Sequence, residues 1–398
     1  VRGVHRGRPA FYGGEVMERW LNKILLGLSE DILREMPDNC IDSIVTDPPY
    51  GLKFMGKKWD YDVPSVALWK EAYRVLKPGA HVLSFGGTRT YHRMVVNIED
   101  AGFEIRDQIL WIYGSGFPKS LDVSKAIDKA AGEYVPGDVL PSSRATGKSV
   151  SGIATAFRLK TAANPQSDLS RQWQGWGTAL KPAVEPICLA RKPLEGTVAN
   201  NVLKWGTGGM NIDGCRVGAE LVEKGRKGRN NKSVFMASMK NTGGLSTGRF
   251  PANVLHDGSD EVLQHFPESN GQQGDVSGLE PSTPVLNVYG KYDRHVFPAR
   301  NDNGSAARFF YCAKASTSER GDGNNHPTVK PLDLIKYLVK LITPPDGIVL
   351  DMFGGSGTTA LACYEMGFNY ILIEREPEHI FIANERIKQA TRQERIFP

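Results

Sequence analysis

Apolar positions between Ser29 and Tyr113 switch repeatedly between two periods. Ile32, Leu33 and Met36 mark one face of a short helix that ends at Pro37-Asp38-Asn39. The run Ile41 to Thr46 reads as a buried strand, and it stops at Pro48-Pro49, because a proline pushes the residue before it out of helical space. Trp69, Ala72, Tyr73 and Leu76 recur at i, i+3, i+4 and i+7, which predicts a helix stopped by Pro78-Gly79 and followed by a strand from His81 to Phe85. Tyr91, Met94, Val95 and Ile98 predict the next helix, ended at Gly102, and Phe103 to Tyr113 the next strand. Strands alternating with amphipathic helices predict an α/β domain with a parallel, helix-covered sheet.

The pattern breaks after Tyr113. Gly114-Ser115-Gly116 opens a loop, Leu121 to Ala131 is helical in pattern, and Pro141 to Ser167 contains no acidic residue. This stretch reads as an insertion. A strand from Ile187 to Ala190 follows, and from Arg191 to about Arg320 the chain is rich in Gly and Asn without a long periodic helix. That middle region reads as a separate small module of loops and short strands. The alternation returns at Pro331: a helix through Leu332, Ile335, Leu338 and Ile342, a strand from Ile348 to Asp351, a glycine-rich turn, a helix to Gly367, a strand from Tyr370 to Ile373, and a last helix after Pro377. The expected organisation is an extension over 1–16, a first half-domain over 17–116, an insertion over 117–172, a returning strand within 173–192, a module over 193–320, and a second half-domain over 321–398.

Composition narrows this only a little. The 398 residues, 40% of them hydrophobic, allow one large domain with an appendage, and a formal net charge of +5 favours a polyanionic partner without naming one. No run of about 18 uncharged apolar residues is present, and residues 1–16 lack the apolar stretch of a secretory signal, so a cytoplasmic protein is expected. Five cysteines without CxxC spacing point to neither a disulfide framework nor a zinc site, so no metal is expected. Trp173, Trp176 and Trp205 read as packing residues, and His256 as a satisfied loop histidine.

Two motifs carry chemistry. Asp351-Met352-Phe353-Gly354-Gly355-Ser356-Gly357-Thr358-Thr359 lies between a predicted strand and a predicted helix, where glycines let the backbone approach a ligand and free N–H groups face it. Glu374 ends the next predicted strand, where a carboxylate can hold both ribose hydroxyls of an adenosyl cofactor. Asp47-Pro48-Pro49-Tyr50 ends the predicted strand over Ile41 to Thr46. As a bland alternative it is a proline turn with a capping aspartate. As chemistry, Asp47 and the Pro48 carbonyl can accept hydrogen bonds from an exocyclic base amine and favour its pyramidal, attacking form, while Tyr50 offers an aromatic face to an extruded base.

Together these motifs resemble the DNA amino-methyltransferases. Asp47 to Tyr50 matches their catalytic motif, Asp351 to Thr359 their cofactor loop, and His326-Pro327-Thr328-Val329-Lys330-Pro331 the segment before that loop. The order, catalytic motif first, is that of the circularly permuted beta class. Lys204 to Val217, Arg249 to Gly258 and Arg308 to Lys314 are similar to solitary phage and prophage adenine methyltransferases. The resemblance implies a Rossmann-like, seven-stranded sheet with one reversed strand, the two sequence halves joined at its centre, and an inserted target-recognition region. It implies S-adenosyl-L-methionine as cofactor, Asp47 and Pro48 at the target amine, and Tyr50 on the base. Asp351, Phe353, Gly355, Ser356, Gly357, Thr358 and Glu374 would line the cofactor pocket, with Thr328 and Lys330 near its methionine end.

Two departures stand out. Relatives often have Gly-Asp where this chain has Gly27-Leu28, and proline where it has Met352. No cysteine follows a proline, so the nucleophile of carbon-5 cytosine methylation is missing. In the family it resembles, aspartate at the first motif position favours adenine N6 over cytosine N4, so the resemblance implies adenine; a DNA-binding relative that has lost catalysis is the further alternative, raised by Leu28. The implied partner is double-stranded DNA, with no membrane; a homodimer stays open, as does a restriction endonuclease partner. Lys57 and Lys58 after the catalytic motif, and Arg226, Lys227 and Arg229 in an acid-free run, are the candidate phosphate contacts.

Overall fold

The computed structural model describes residues 17–52, 62–116, 120–136, 139–140, 159–160, 165–224, 244–269, 304–313 and 329–396. Contacts divide the chain into two compact units, Ser115–Ala183 and the remainder. The larger unit is built on a nine-stranded sheet. Its strands in chain order are β1 (Lys23–Leu26), β2 (Ile41–Thr46), β3 (Leu76–Phe85), β4 (Glu104–Ile112), β5 (Val184–Arg191), β6 (Val254–His256), β7 (Tyr311–Cys312), β8 (Ile348–Asp351) and β9 (Asn369–Glu374). Across the sheet they run β1-β9-β8-β2-β3-β5-β4-β6-β7. Every pairing is parallel except those of β5, which is antiparallel to both β3 and β4.

The sheet is buried from both sides because its strands carry apolar residues on both faces. Ile44, Val82, Leu350 and Ile371 enter one apolar layer, and their neighbours Val45, Leu83, Val349 and Leu372 enter the other. The first layer receives Leu68, Trp69, Ala72 and Val75 from α2 (Val66–Val75) and Met94 and Ile98 from α3 (Tyr91–Asp100), after α1 (Ser29–Glu35) has contributed Leu33. In the smaller unit α4 is Val123–Ala131, and in the larger one α5 is Val198–Trp205. The second layer receives Leu334, Ile335, Leu338, Val339 and Ile342 from α6 (Leu332–Ile342) and Ala360, Ala362 and Cys363 from α7 (Thr358–Met366). The chain ends in α8 (Pro377–Ile396).

Three features differ from the sequence expectation. First, Pro78-Gly79 does not stop α2, which already ends at Val75, but lies inside β3. Leu76 already pairs with Ile41, and the register shifts before Ser43 pairs with His81, with Gly79 at φ +75° inside the irregular stretch. Second, seven strands carry the sheet as expected, but β6 and β7 from the middle region extend it. Part of that region therefore continues the main sheet, while Val217–Lys224 and Gly244–Arg249 pair as a hairpin. Third, His256 sits buried in β6, not in a loop; its Nδ1 accepts the Gly258 N–H at 3.1 Å.

The smaller unit packs α4 against a one-turn helix, Asp168–Gln172. Asp122 caps α4 by accepting from Lys125 N–H at 3.1 Å, and Ser167 and Ser170 form a reciprocal capping box on the shorter helix. Trp173 and Trp176 meet edge to face at 5.0 Å, yet they are 38% and 60% exposed, so they are surface residues and not the packing expected of them. Among the described residues no helix is long and apolar enough to cross a membrane.

Candidate active site

The strand order reverses between β8 and β2. From β8 the sheet continues to β9 and β1, and from β2 to β3 in the other direction. Loops leaving the carboxyl ends of such strands diverge and leave a crevice. A cavity of about 380 Å³ occupies it, lined by Asp47, Pro48, Pro49 and Tyr50 on one side and by Asp351, Phe353, Gly355, Ser356, Thr358 and Glu374 on the other. Segments about 300 residues apart in sequence thus share one cavity at a topological switch point.

At the first end, Asp47 directly follows β2. Tyr50 Oη donates to Asp47 Oδ1 at 2.7 Å, and Lys330 Nζ lies 2.8 Å from Asp47 Oδ2. Lys330 also donates to Tyr50 Oη at 3.2 Å and lies 3.2 Å from Glu185 Oε2 on β5. Burial alone would lower the lysine's pKa, but the carboxylates of Asp47 and Glu185 reverse this and hold the ammonium protonated. Burial, with Asp47 adding to it, raises the Tyr50 phenol well above its ordinary value, so it remains a donor. Burial also raises Glu185, against the pull of Lys330 and with the push of Asp47. The backbone of Tyr50 is held by Thr90, whose Oγ1 donates to its carbonyl at 2.5 Å. Gly87 leaves room for the ring, since a Cβ there would stand 3.1 Å from Tyr50 Cβ.

At the second end, Asp351 faces inward as much as toward the cavity. Its Oδ1 accepts from Thr46 Oγ1 at 2.7 Å and from Phe353 N–H at 3.0 Å, and its Oδ2 accepts from Thr359 Oγ1 at 2.7 Å. Burial pushes its pKa up to about 6, the hydrogen bonds from Thr359, Thr46 and Phe353 opposing. Glu374 Oε2 accepts from Gly355 N–H at 2.7 Å, and Oε1 accepts from the N–H groups of Arg375 and Glu376. Burial would raise Glu374, but His379 and the backbone donors Glu376 and Gly355 bring its pKa below the ordinary value. The turn between them needs its glycines. Gly355 and Gly357 have φ of +50° and +79°, and a Cβ on Gly357 would lie 2.6 Å from Ala383 Cβ of α8, so this glycine serves the packing of α7 on α8.

These features fit an adenosyl cofactor: an open cradle of glycine backbone, an ionised and buried carboxylate beyond it, and a cavity long enough to reach Asp47. The other expected residues divide. Lys330, assigned to the cofactor side by resemblance, has its ammonium in the Asp47 group. Leu28, the departure from Gly-Asp, lines the cavity beside Ser29, whose Oγ donates to the Met352 carbonyl at 2.5 Å. Thr328, Lys57, Lys58, Arg226, Lys227 and Arg229 lie outside the described residues.

Two site residues, Glu185 and Arg386, escaped the sequence reading. Glu185 sits near the start of a strand that is apolar from Pro186 to Ala190; a carboxylate in such a strand was the available signal. Arg386 gave none, being one arginine in a charged helix. It is buried, and its Nη1 donates to Ser356 O at 2.8 Å and to Thr358 Oγ1 at 3.0 Å, clamping the glycine turn from α8.

Comparison with known proteins bears on the same span. Residues 41–385 match the N6/N4 methyltransferase family model, described as DNA methylase. The chain belongs to this DNA methylase family. Among its relatives, the type II methyltransferase M.HindIII of Haemophilus influenzae is 24% identical over 308 residues, covering 77% of this chain and 62% of that protein. M2.MboI of Moraxella bovis is 41% identical over 66 residues, 17% of this chain and 24% of its own length. Among solved structures, the cytosine-N4-specific PvuII DNA methyltransferase is 15% identical, with 91% of this chain and 84% of that chain covered at a TM-score of 0.42. The M1.HpyAVI–SAM complex is 16% identical, with 92% and 98% covered at 0.38.

Proposed function

We propose that this DNA methylase transfers a methyl group from S-adenosyl-L-methionine to the exocyclic N6 amine of an adenine flipped out of duplex DNA. The carrying observation is the single cavity that joins Asp47 and Tyr50 to the glycine turn and Glu374. When bound, the cofactor supplies an electrophilic methyl group on a sulfonium. Glu374 and the backbone of Gly355 would hold it, with Phe353 and Ser356 lining its site. Asp47 and the Pro48 carbonyl would accept the two amine hydrogens, turning the nitrogen lone pair out of conjugation with the ring. Tyr50 would stack on the base, its hydroxyl anchored to Asp47. As the nitrogen gains positive charge, Asp47 stabilises it and takes the proton that leaves.

Aspartate at position 47 supports adenine over cytosine, and the stretch 193–320 is the assigned reader of the DNA sequence, with double-stranded DNA as partner. Incubation with labelled cofactor and mixed duplex DNA, then digestion to nucleosides, tests this. Label is expected in N6-methyldeoxyadenosine. Label in N4-methyldeoxycytidine alone overturns the base assignment, and no label in DNA overturns the function.

A further inference from the structure

Three ionisable side chains from three distant segments meet beside Tyr50. Lys330 Nζ faces Asp47 Oδ2 at 2.8 Å, Glu185 Oε2 at 3.2 Å and Tyr50 Oη at 3.2 Å. The contact with Tyr50 Oη is a hydrogen bond, whereas the two carboxylates meet the ammonium at ion-pair distance, Glu185 Oε2 being buried with no hydrogen bond of its own among the described residues. The ammonium is nearly fully buried, with Phe85 and Tyr50 packing their rings against it at 4.8 and 5.5 Å. The arrangement poses an electrostatic problem for amine methylation. The reacting nitrogen acquires positive charge as its lone pair bonds the methyl carbon and the carbon–sulfur pair returns to sulfur. A buried cation against Asp47 opposes that charge and cancels the field of the carboxylate meant to stabilise it. Asp47 and Lys330 alone sum to zero; with Glu185 the group carries a net negative charge.

We propose that Glu185 is a positioning residue for the reaction: as a second carboxylate at ion-pair distance from Lys330, it shares the lysine's charge and leaves Asp47 the net negative field that the amine needs. The inference rests on the proposed amine methylation. It gives the reversed strand a task, because β5 enters the sheet antiparallel between β3 and β4 and presents Glu185 near its start, level with Trp111 and one residue before Pro186, whose carbonyl accepts the Gly86 N–H at 2.9 Å. It also explains why Lys330 carries two carboxylates when a structural ion pair needs one. Asp47 keeps lone pairs for the amine, since each of its oxygens has only one of these contacts.

The test is a cycle of Glu185→Gln, Lys330→Met and their combination, with Glu185→Asp alongside, read by single-turnover methylation of a cognate duplex. Cofactor affinity by calorimetry and base extrusion by 2-aminopurine fluorescence are measured in parallel. Glu185→Gln is expected to lower the methylation rate by about 10- to 100-fold, with cofactor affinity and base extrusion within about threefold of the parent. Glu185→Asp recovers most of the rate. In the Lys330→Met background the glutamine substitution changes the rate less than about threefold, because the cation it compensated is gone. An unaffected Glu185→Gln enzyme overturns the inference, as does an equal loss in both backgrounds. If Lys330→Met is too slow to measure, or Glu185→Gln does not fold, the aspartate variant decides: recovery supports the inference and failure to recover overturns it. Failure of the functional reading is distinct, since it shows as a wild-type protein that methylates no DNA.

Discussion

Thr46 and Asp351, 305 residues apart in the chain, share a 2.7 Å hydrogen bond across the carboxyl ends of β2 and β8. Thr46 precedes Asp47 and Asp351 opens the glycine turn, so this one bond ties the catalytic motif to the cofactor motif at the sheet's centre. Both partners are buried. Thr46→Val keeps the shape and leaves Asp351 one donor short. The expected result is a loss of about 1–2 kcal/mol in stability by denaturant titration and a weakening of cofactor binding of roughly threefold or more. Unchanged values on both measures would show that the two motifs are held together by packing alone.

Asp47→Asn separates activation of the amine from construction of the pocket. The amide still accepts from Tyr50, but it has lost the negative charge. Methylation is expected to fall by about 10²–10⁴-fold, while calorimetry shows cofactor affinity within about threefold, because the glycine turn and Glu374 are untouched. A variant that retains full activity would remove Asp47 from the reaction.

Asp351 makes stability depend on pH in an unusual direction. Its folded pKa of about 6 exceeds the ordinary 3.8, so the folded protein holds this proton more tightly than the unfolded chain. The contribution is fully present below about 3.8 and is lost as pH rises through about 6. Between pH 4.5 and 7.5, Asp351→Asn should therefore gain stability relative to the parent, by about 2 kcal/mol on the scale of 1.4 kcal/mol per pKa unit. Urea midpoints at the two pH values measure this; parallel behaviour of the two proteins would refute it.

Gly357→Ala tests the cradle. The new methyl carbon would meet Ala383 Cβ at 2.6 Å from a backbone at φ +79°, and neither helix can yield cheaply. A destabilisation of roughly 1–3 kcal/mol is expected, together with weaker cofactor binding as α7 shifts from α8. Thermal unfolding of the variant at parental temperature would mean that the turn is looser than its contacts suggest.

Much of the sheet was legible because its signals are local. Ile41 to Thr46 is bounded by turn residues on both sides, and it is a strand over those residues. Pro78-Gly79 misled, since a proline and a glycine mark the end of a helix but say nothing about pairing, and Leu76 found Ile41 as a partner before them. The module over the middle region was likewise set apart because short strands such as Val254–His256 have too little pattern to announce that a sheet edge will accept them.

For the site, residue types and their order already say what each motif can do: a carboxylate and an aromatic ring after a strand, a glycine turn before a helix, a second carboxylate after the next strand. These are properties of residue type and turn chemistry within a few positions. The folded chain adds that β2 and β8 lie side by side, that Lys330 reaches Asp47, and that Glu185 and Arg386 complete the two ends. The reason is physical: burial of apolar faces chooses strand neighbours across hundreds of residues, and the charges those strands carry are brought together by that choice.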